Sequence, residues 1–147
     1  FTAGVKCSVR KINNMPLLFI DDIKYGKWEA GQRNAIIQEI AMLDGDTVPI
    51  AIESYAGYKD AYTLIRDALR GQRTVIKVTL PGDKVARATR LEAIFGYGNV
   101  YCKKADWNSE FISQFADFPA GRCHDDIVDA TVTAYSVHSN IVIPGRI

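Results

Sequence analysis

"VPIAIE", Val48 to Glu53, is a continuous apolar run that closes on a single acid. A strand covered on both faces of an α/β sheet carries such a run, because neither of its faces meets water. Its neighbours alternate with it as that class demands. Upstream, Ile36, Ile37, Ile40, Ala41 and Leu43 recur at helical spacing between Trp28 and Leu43, and "DGD" at Asp44 to Asp46 stops the helix. Downstream, "AGYKDAYTLIRDALRG" sets Tyr62, Ile65 and Leu69 at helical spacing and ends on Gly71, after which "TVIKVTL", Thr74 to Leu80, reads as another strand. In open α/β sheets ligands collect beyond the carboxyl ends of the strands, so Glu53 falls where a site is expected.

The same reading extends to both ends. Val5 to Arg10 and Leu17 to Ile23 are β-rich runs joined by "INNMP", whose Asn13, Asn14 and Pro16 predict the turn of an antiparallel hairpin. "DKVARATRLEAIFGYG" predicts a helix, "NVYC" a short strand and "DWNSEFISQFADF" a further helix, with Trp28, Trp107, Phe111, Phe115 and Phe118 at spacings that mean packing. Pro119 and Gly121 break the chain, and a last helix runs from near His124 through "DDIVDATVTAYSVH", apolar on most sides and hence central.

A chain of 147 residues is the size of one domain and buries a real core. With 48% hydrophobic and 24% charged residues it has the composition of a globular protein, without a disordered tract. A net charge of +1 supplies no bulk attraction to nucleic acid, so any such contact must come from a local patch. Cys7, Cys102 and Cys123 are odd in number and lack CxxC spacing, which argues against a disulfide framework and a structural zinc site and fits a reducing compartment. Cys123 beside the acids is a poor ligand for hard ions and is assigned no role. No apolar run approaches the length of a membrane span.

Charge is concentrated in "RCHDDIVDA", Arg122 to Ala130, where three carboxylates fall within five positions. On a helix opening near His124, Asp125 and Asp129 share a face, and Asp126 and Asp129 also lie close. The favourable end of the helix dipole accounts for Asp125 and Asp126 as cap and first-turn residues. It does not account for Asp129, set among Val128, Ala130 and Thr131, where an unpaired buried carboxylate is costly. A cation would account for it. Clusters of carboxylate oxygens suit Mg²⁺ or Mn²⁺, two of which about 3.5–4 Å apart activate water and stabilise the leaving oxygen in phosphodiester cleavage, with Glu53 completing the cage.

"FTAGV", "IESYAGYKDAYTLIRDALRG", "GDKVARA" and above all "FPAGRCHDDIVDA" resemble the C-terminal nuclease domain of tailed-phage terminase large subunits, over nearly the whole chain. The resemblance implies an α/β, ribonuclease H-like mixed sheet flanked by helices. It implies a nuclease that cuts concatemeric double-stranded DNA with two Mg²⁺ or Mn²⁺ ions during genome packaging in the host cytoplasm. The partners it implies are an ATPase motor domain, the portal and the small terminase subunit, and no membrane. Glu53 matches the family's second acid, and Asp125, Asp126 and Asp129 its last cluster, Asp125 and Asp126 ranking first by resemblance while burial favours Asp129.

In that family a first catalytic Asp lies on a central strand just upstream of the "TAG" stretch, and this sequence opens at Phe1. The expectation is a single nuclease domain over 1–147, N-terminally incomplete, its gap filled by upstream residues or by the C-terminal "NIVIPGRI". No GxxxxGK[ST] motif occurs, so no ATPase motor is expected within the chain. Lys84, Arg87 and Arg90, at helical spacing, form a candidate phosphate-contacting stripe, and a solvated face is the plain alternative. Lys59 near Glu53 is a candidate for orienting phosphate, set against a surface loop lysine; Gly57 and Tyr58 read as a turn beside it. His124 is a candidate proton relay, set against a capping role. The rival functions are an inactive DNA-docking or scaffold piece, and another ribonuclease H-like nuclease of the resolvase or transposase type.

Overall fold

The computed structural model describes residues 1–54, 59–121 and 124–138, the side chain of Lys59 excepted. Ten elements follow in order: β1 (Thr2–Ile12), β2 (Met15–Gly26), α1 (Ala30–Asp44), β3 (Ile50–Glu53), α2 (Lys59–Ala68), β4 (Val75–Val78), α3 (Lys84–Gly96), β5 (Val100–Cys102), α4 (Asn108–Asp117) and α5 (Asp126–His138). Each lies where its periodicity predicts. The described residues form two compact units, residues 1–26 with 81–138, and residues 27–80.

In the first unit β1 and β2 form an antiparallel hairpin, closed by Asn13 and Asn14 at φ 51° and 64° between the paired Ile12 and Met15. Two consecutive left-handed residues make the tight turn whose twist matches the strands, and asparagine tolerates that conformation. β5 joins β2 in parallel, giving the order β1-β2-β5. Alternation buries Leu18 and Ile20 of β2 on one side, and the register shift opposite Lys6 and Cys7, which leaves Asp21 unmatched, resets the alternation so that Ile23 is buried as well. α5 packs against β1, β2, α3 and α4. Its Ile127, Val128, Thr131, Val132, Thr133 and Ser136 are all buried, so it is the central helix its apolar sequence predicts. Two of its hydroxyls are satisfied locally, Thr131 Oγ1 donating to the Ile127 carbonyl at 2.7 Å and Ser136 Oγ to that of Thr133 at 2.6 Å. Phe95, Phe111 and Phe115 stack beside it, and Trp107 meets Phe111 edge-on.

In the second unit β3 and β4 pair in parallel. Ala41, Ile65 and Leu69 form the core there, with Ile37, Ile50, Ile52 and Val75 packed around them. Arg73 Nε donates to the Ala41 carbonyl at 2.8 Å, tying the chain before β4 to the last turns of α1.

Parallel and antiparallel pairing with five helices is the mixed α/β class that the resemblance implies. The strands fall into two sheets: among the described residues β1 pairs with β2 alone, and β3 with β4 alone. "NIVIPGRI", Gly57, Tyr58 and Cys123 lie outside the described residues.

Candidate metal centre at the start of α5

α5 opens at Asp126, and the Asp129 N–H donates to the Asp125 carbonyl at 3.0 Å, so Asp125 is the residue at the helix cap. A cap aspartate ordinarily turns its side chain onto the first free N–H groups. Here the Ile127 N–H donates instead to Oε1 of Gln114, on α4, at 2.9 Å. Gln114 is itself held, its Nε2 donating to Glu110 Oε1 at 2.9 Å. With the cap supplied from another helix, the Asp125 carboxylate faces outward.

It faces Lys84. The ammonium donates to Asp125 Oδ1 and Oδ2 at 2.9 and 3.0 Å and lies 3.0 Å from Asp129 Oδ2. Lys84 is the first residue of α3, whose start is fixed by Asp83 accepting from the Ala86 N–H at 2.8 Å. Gly82 just before it holds φ +87°, and a Cβ there would meet Ala86 Cβ at 3.2 Å, so the turn calls for glycine. Partial burial pulls the Lys84 pKa down, but the bonds and charges of Asp125 and Asp129 outweigh it and the net is a rise above the ordinary lysine value. The acid side chains remain open to water, at 36% for Asp125 and 26% for Asp129.

Of the predicted site residues, Asp125 and Asp129 are therefore brought together, as their i, i+4 spacing implies. Asp126 turns elsewhere, its Oδ2 3.8 Å from Nδ1 of the exposed His124, whose ring lies 3.8 Å from that of Phe1. Glu53 closes β3 in the other unit, where the Ser54 N–H donates to the Val78 carbonyl at 2.8 Å and carries the ladder one step past it. The Lys59 side chain lies outside the described residues.

The expected exposed stripe of Lys84, Arg87 and Arg90 does not form. Arg87 is only 8% exposed, since positions 84, 87, 91 and 94 share the face of α3 that buries Leu91 and Ile94. Lys84 is bound to the acids, and Arg90 is half-buried. Gln114 was not among the predicted residues. Its signal is a lone amide three positions after Phe111, on the apolar face of α4, where a buried polar group requires a partner.

Among the described residues, no group of three or more His, Cys, Asp or Glu side chains is placed to hold a metal ion. Two carboxylates do converge on one positive atom, and Lys84 Nζ stands where a small cation would. Mg²⁺ is commonly held by one or two carboxylates, with water and substrate phosphates completing its shell. The donor set fits a hard divalent ion.

A mixed α/β fold with an acid pair at the start of its central helix is consistent with a ribonuclease H-like nuclease domain. The model of the terminase RNase H-like domain family matches residues 21–137, and the chain belongs to that family. It is thus the nuclease domain of a terminase large subunit, with a nuclease-type role in phage DNA packaging and DNA as its substrate. Nucleases of this class usually work with divalent metals. Comparisons with curated proteins and with solved structures gave no match.

Proposed function

We propose that this chain is the metal-dependent endonuclease that cuts concatemeric double-stranded viral DNA during packaging, using two Mg²⁺ or Mn²⁺ ions. The observation that carries the reading is the convergence of Asp125 and Asp129 on a single cation, the ammonium of Lys84. Asp125 and Asp129 would hold metal at the start of α5, and Glu53 is the ligand proposed from β3. Bound there, the ions would supply an activated water and neutralise the charge that builds on the leaving oxygen.

The chain's own groups set up that chemistry. Gln114 caps α5 and so leaves the Asp125 oxygens open. The acids stand at the start of α5, where the positive end of the helix dipole lies. Asp126 is proposed as the partner of His124, which would carry protons to and from solvent. Lys59 and the half-buried Arg90 are proposed as phosphate contacts. The proposed partners are the ATPase motor domain, the portal and the small terminase subunit, and the proposed place of action is the host cytoplasm.

Plasmid cleavage by the full-length protein tests the reading. Supercoiled DNA should be cut in Mn²⁺ or Mg²⁺ and left intact in EDTA, and Glu53→Gln should lose at least about 100-fold, the scale of several kcal/mol that metal catalysis supplies. Cleavage that persists in EDTA would overturn it.

A further inference from the structure

Lys84 sits in a place that ordinary helix chemistry disfavours. It is the first residue of α3, where the dipole presents positive charge and a cation is destabilising. Yet its ammonium lies within hydrogen-bond distance of three carboxylate oxygens, both of Asp125 and one of Asp129, at 2.9 to 3.0 Å. The geometry is that of a small coordinated cation rather than of a surface ion pair with one partner. Two carboxylates and one ammonium leave a net charge of −1, so the cluster still attracts a divalent ion, but the ion and the ammonium cannot share the same oxygens.

We propose that Lys84 is a resident counter-ion of the acid pair that a divalent cation displaces when it binds. The inference rests on the reading that Asp125 and Asp129 are metal ligands. Without metal, Lys84 offsets the repulsion between two like charges one helical turn apart and keeps them converged. With metal, the ammonium is repelled from the oxygens it held. It is on a half-exposed side chain at a helix start, free to swing outward, and the nearest chemistry that suits it is a phosphate oxygen of the DNA at the same ion. The candidate role of Lys84 as a phosphate contact is then conditional on metal.

The test is metal binding without DNA. Mn²⁺ is titrated calorimetrically into the full-length wild-type protein, Lys84→Met, Lys84→Gln and Asp125→Asn, and Mg²⁺ is titrated while the Lys84 ammonium is followed by ¹H–¹⁵N NMR. Both Lys84 variants should bind Mn²⁺ about tenfold more tightly, the scale of two exposed ion pairs that no longer compete. The Lys84 resonance should shift or exchange-broaden with the same midpoint as Mg²⁺ binding. Equal or weaker binding by both Lys84 variants, with Asp125→Asn losing binding, would overturn the displacement and leave the acid pair standing. Asp125→Asn binding as wild type would overturn the metal reading itself, and this proposal with it.

Discussion

Replacing Gln114 by Leu removes the side chain that accepts from the first turn of α5 and leaves the site's geometry to find another support. The side chain is 3% exposed, its Oε1 accepts from the Ile127 N–H at 2.9 Å, and Ile127 is fully buried. Leucine has nearly the same volume, so the cavity cost is small and the loss is polar. A buried N–H deprived of its acceptor costs about 1–3 kcal/mol, in line with the roughly 1 kcal/mol of an ordinary cap. The expected loss is about 2 kcal/mol, or roughly 4–8 °C in melting temperature at this chain length. The chain has two tryptophans, Trp28 and Trp107, one in each compact unit. In a Trp28→Phe background the fluorescence of Trp107 reports on the unit that holds α5. With a urea slope of about 2 kcal/mol per molar, the midpoint read there should fall by roughly 1 M. The Asp125 side chain is the nearest substitute cap, and its turning inward should weaken metal binding as well. A midpoint within about 0.2 M of the parent would show that the Gln114 bond does not hold α5 and would refute the reasoning.

Other outcomes follow from the two cores and from one thiol. Ile65→Ala removes a side chain with 0% exposure from the Ala41, Ile65 and Leu69 cluster and should cost about 2–5 kcal/mol, read as a lower denaturation midpoint for Trp28 in a Trp107→Phe background. Burial, and secondarily the charge of Asp21, pushes the Cys7 thiol up to about 12. Below about pH 9 it is protonated in folded and unfolded chains alike; above that only the unfolded chain ionises, so its contribution to stability falls as pH rises from about 9 toward 12. Cys7→Ala should flatten that part of the stability profile. At pH 8, in a Cys123→Ser background, a thiol reagent should modify exposed Cys102 well before the partly buried Cys7.

The elements were legible because each carries its own period. The run from Ile50 to Glu53, the helical spacing of Ile36 to Leu43 and the Asn13–Asn14 turn are local signals, and local signals fix helices, strands and tight turns. The acid pair was legible for the same reason, since i, i+4 spacing places Asp125 and Asp129 on one face whatever surrounds them. What surrounds them was not. Lys84, Arg87 and Arg90 have helical spacing whichever way the face turns, and only packing against α5 decides that Arg87 is buried and Lys84 meets the acids. The Gln114 cap joins residues 13 apart in sequence on two helices, a pairing that no periodicity encodes. The resemblance ranked Asp126 with Asp125. The structure pairs Asp125 with Asp129 because a helix turns by 100° per residue and carries Asp126 to another side, beside His124.

The most direct test of the acid pair is Mn²⁺-dependent linearisation of supercoiled plasmid by the full-length protein carrying Asp125→Asn, Asp126→Asn or Asp129→Asn, with each variant shown folded by circular dichroism. Losses of at least about 100-fold are expected for Asp125→Asn and Asp129→Asn and a smaller loss, within about tenfold, for Asp126→Asn. Undiminished cleavage by Asp125→Asn or Asp129→Asn would contradict the role of the acid pair as metal ligands.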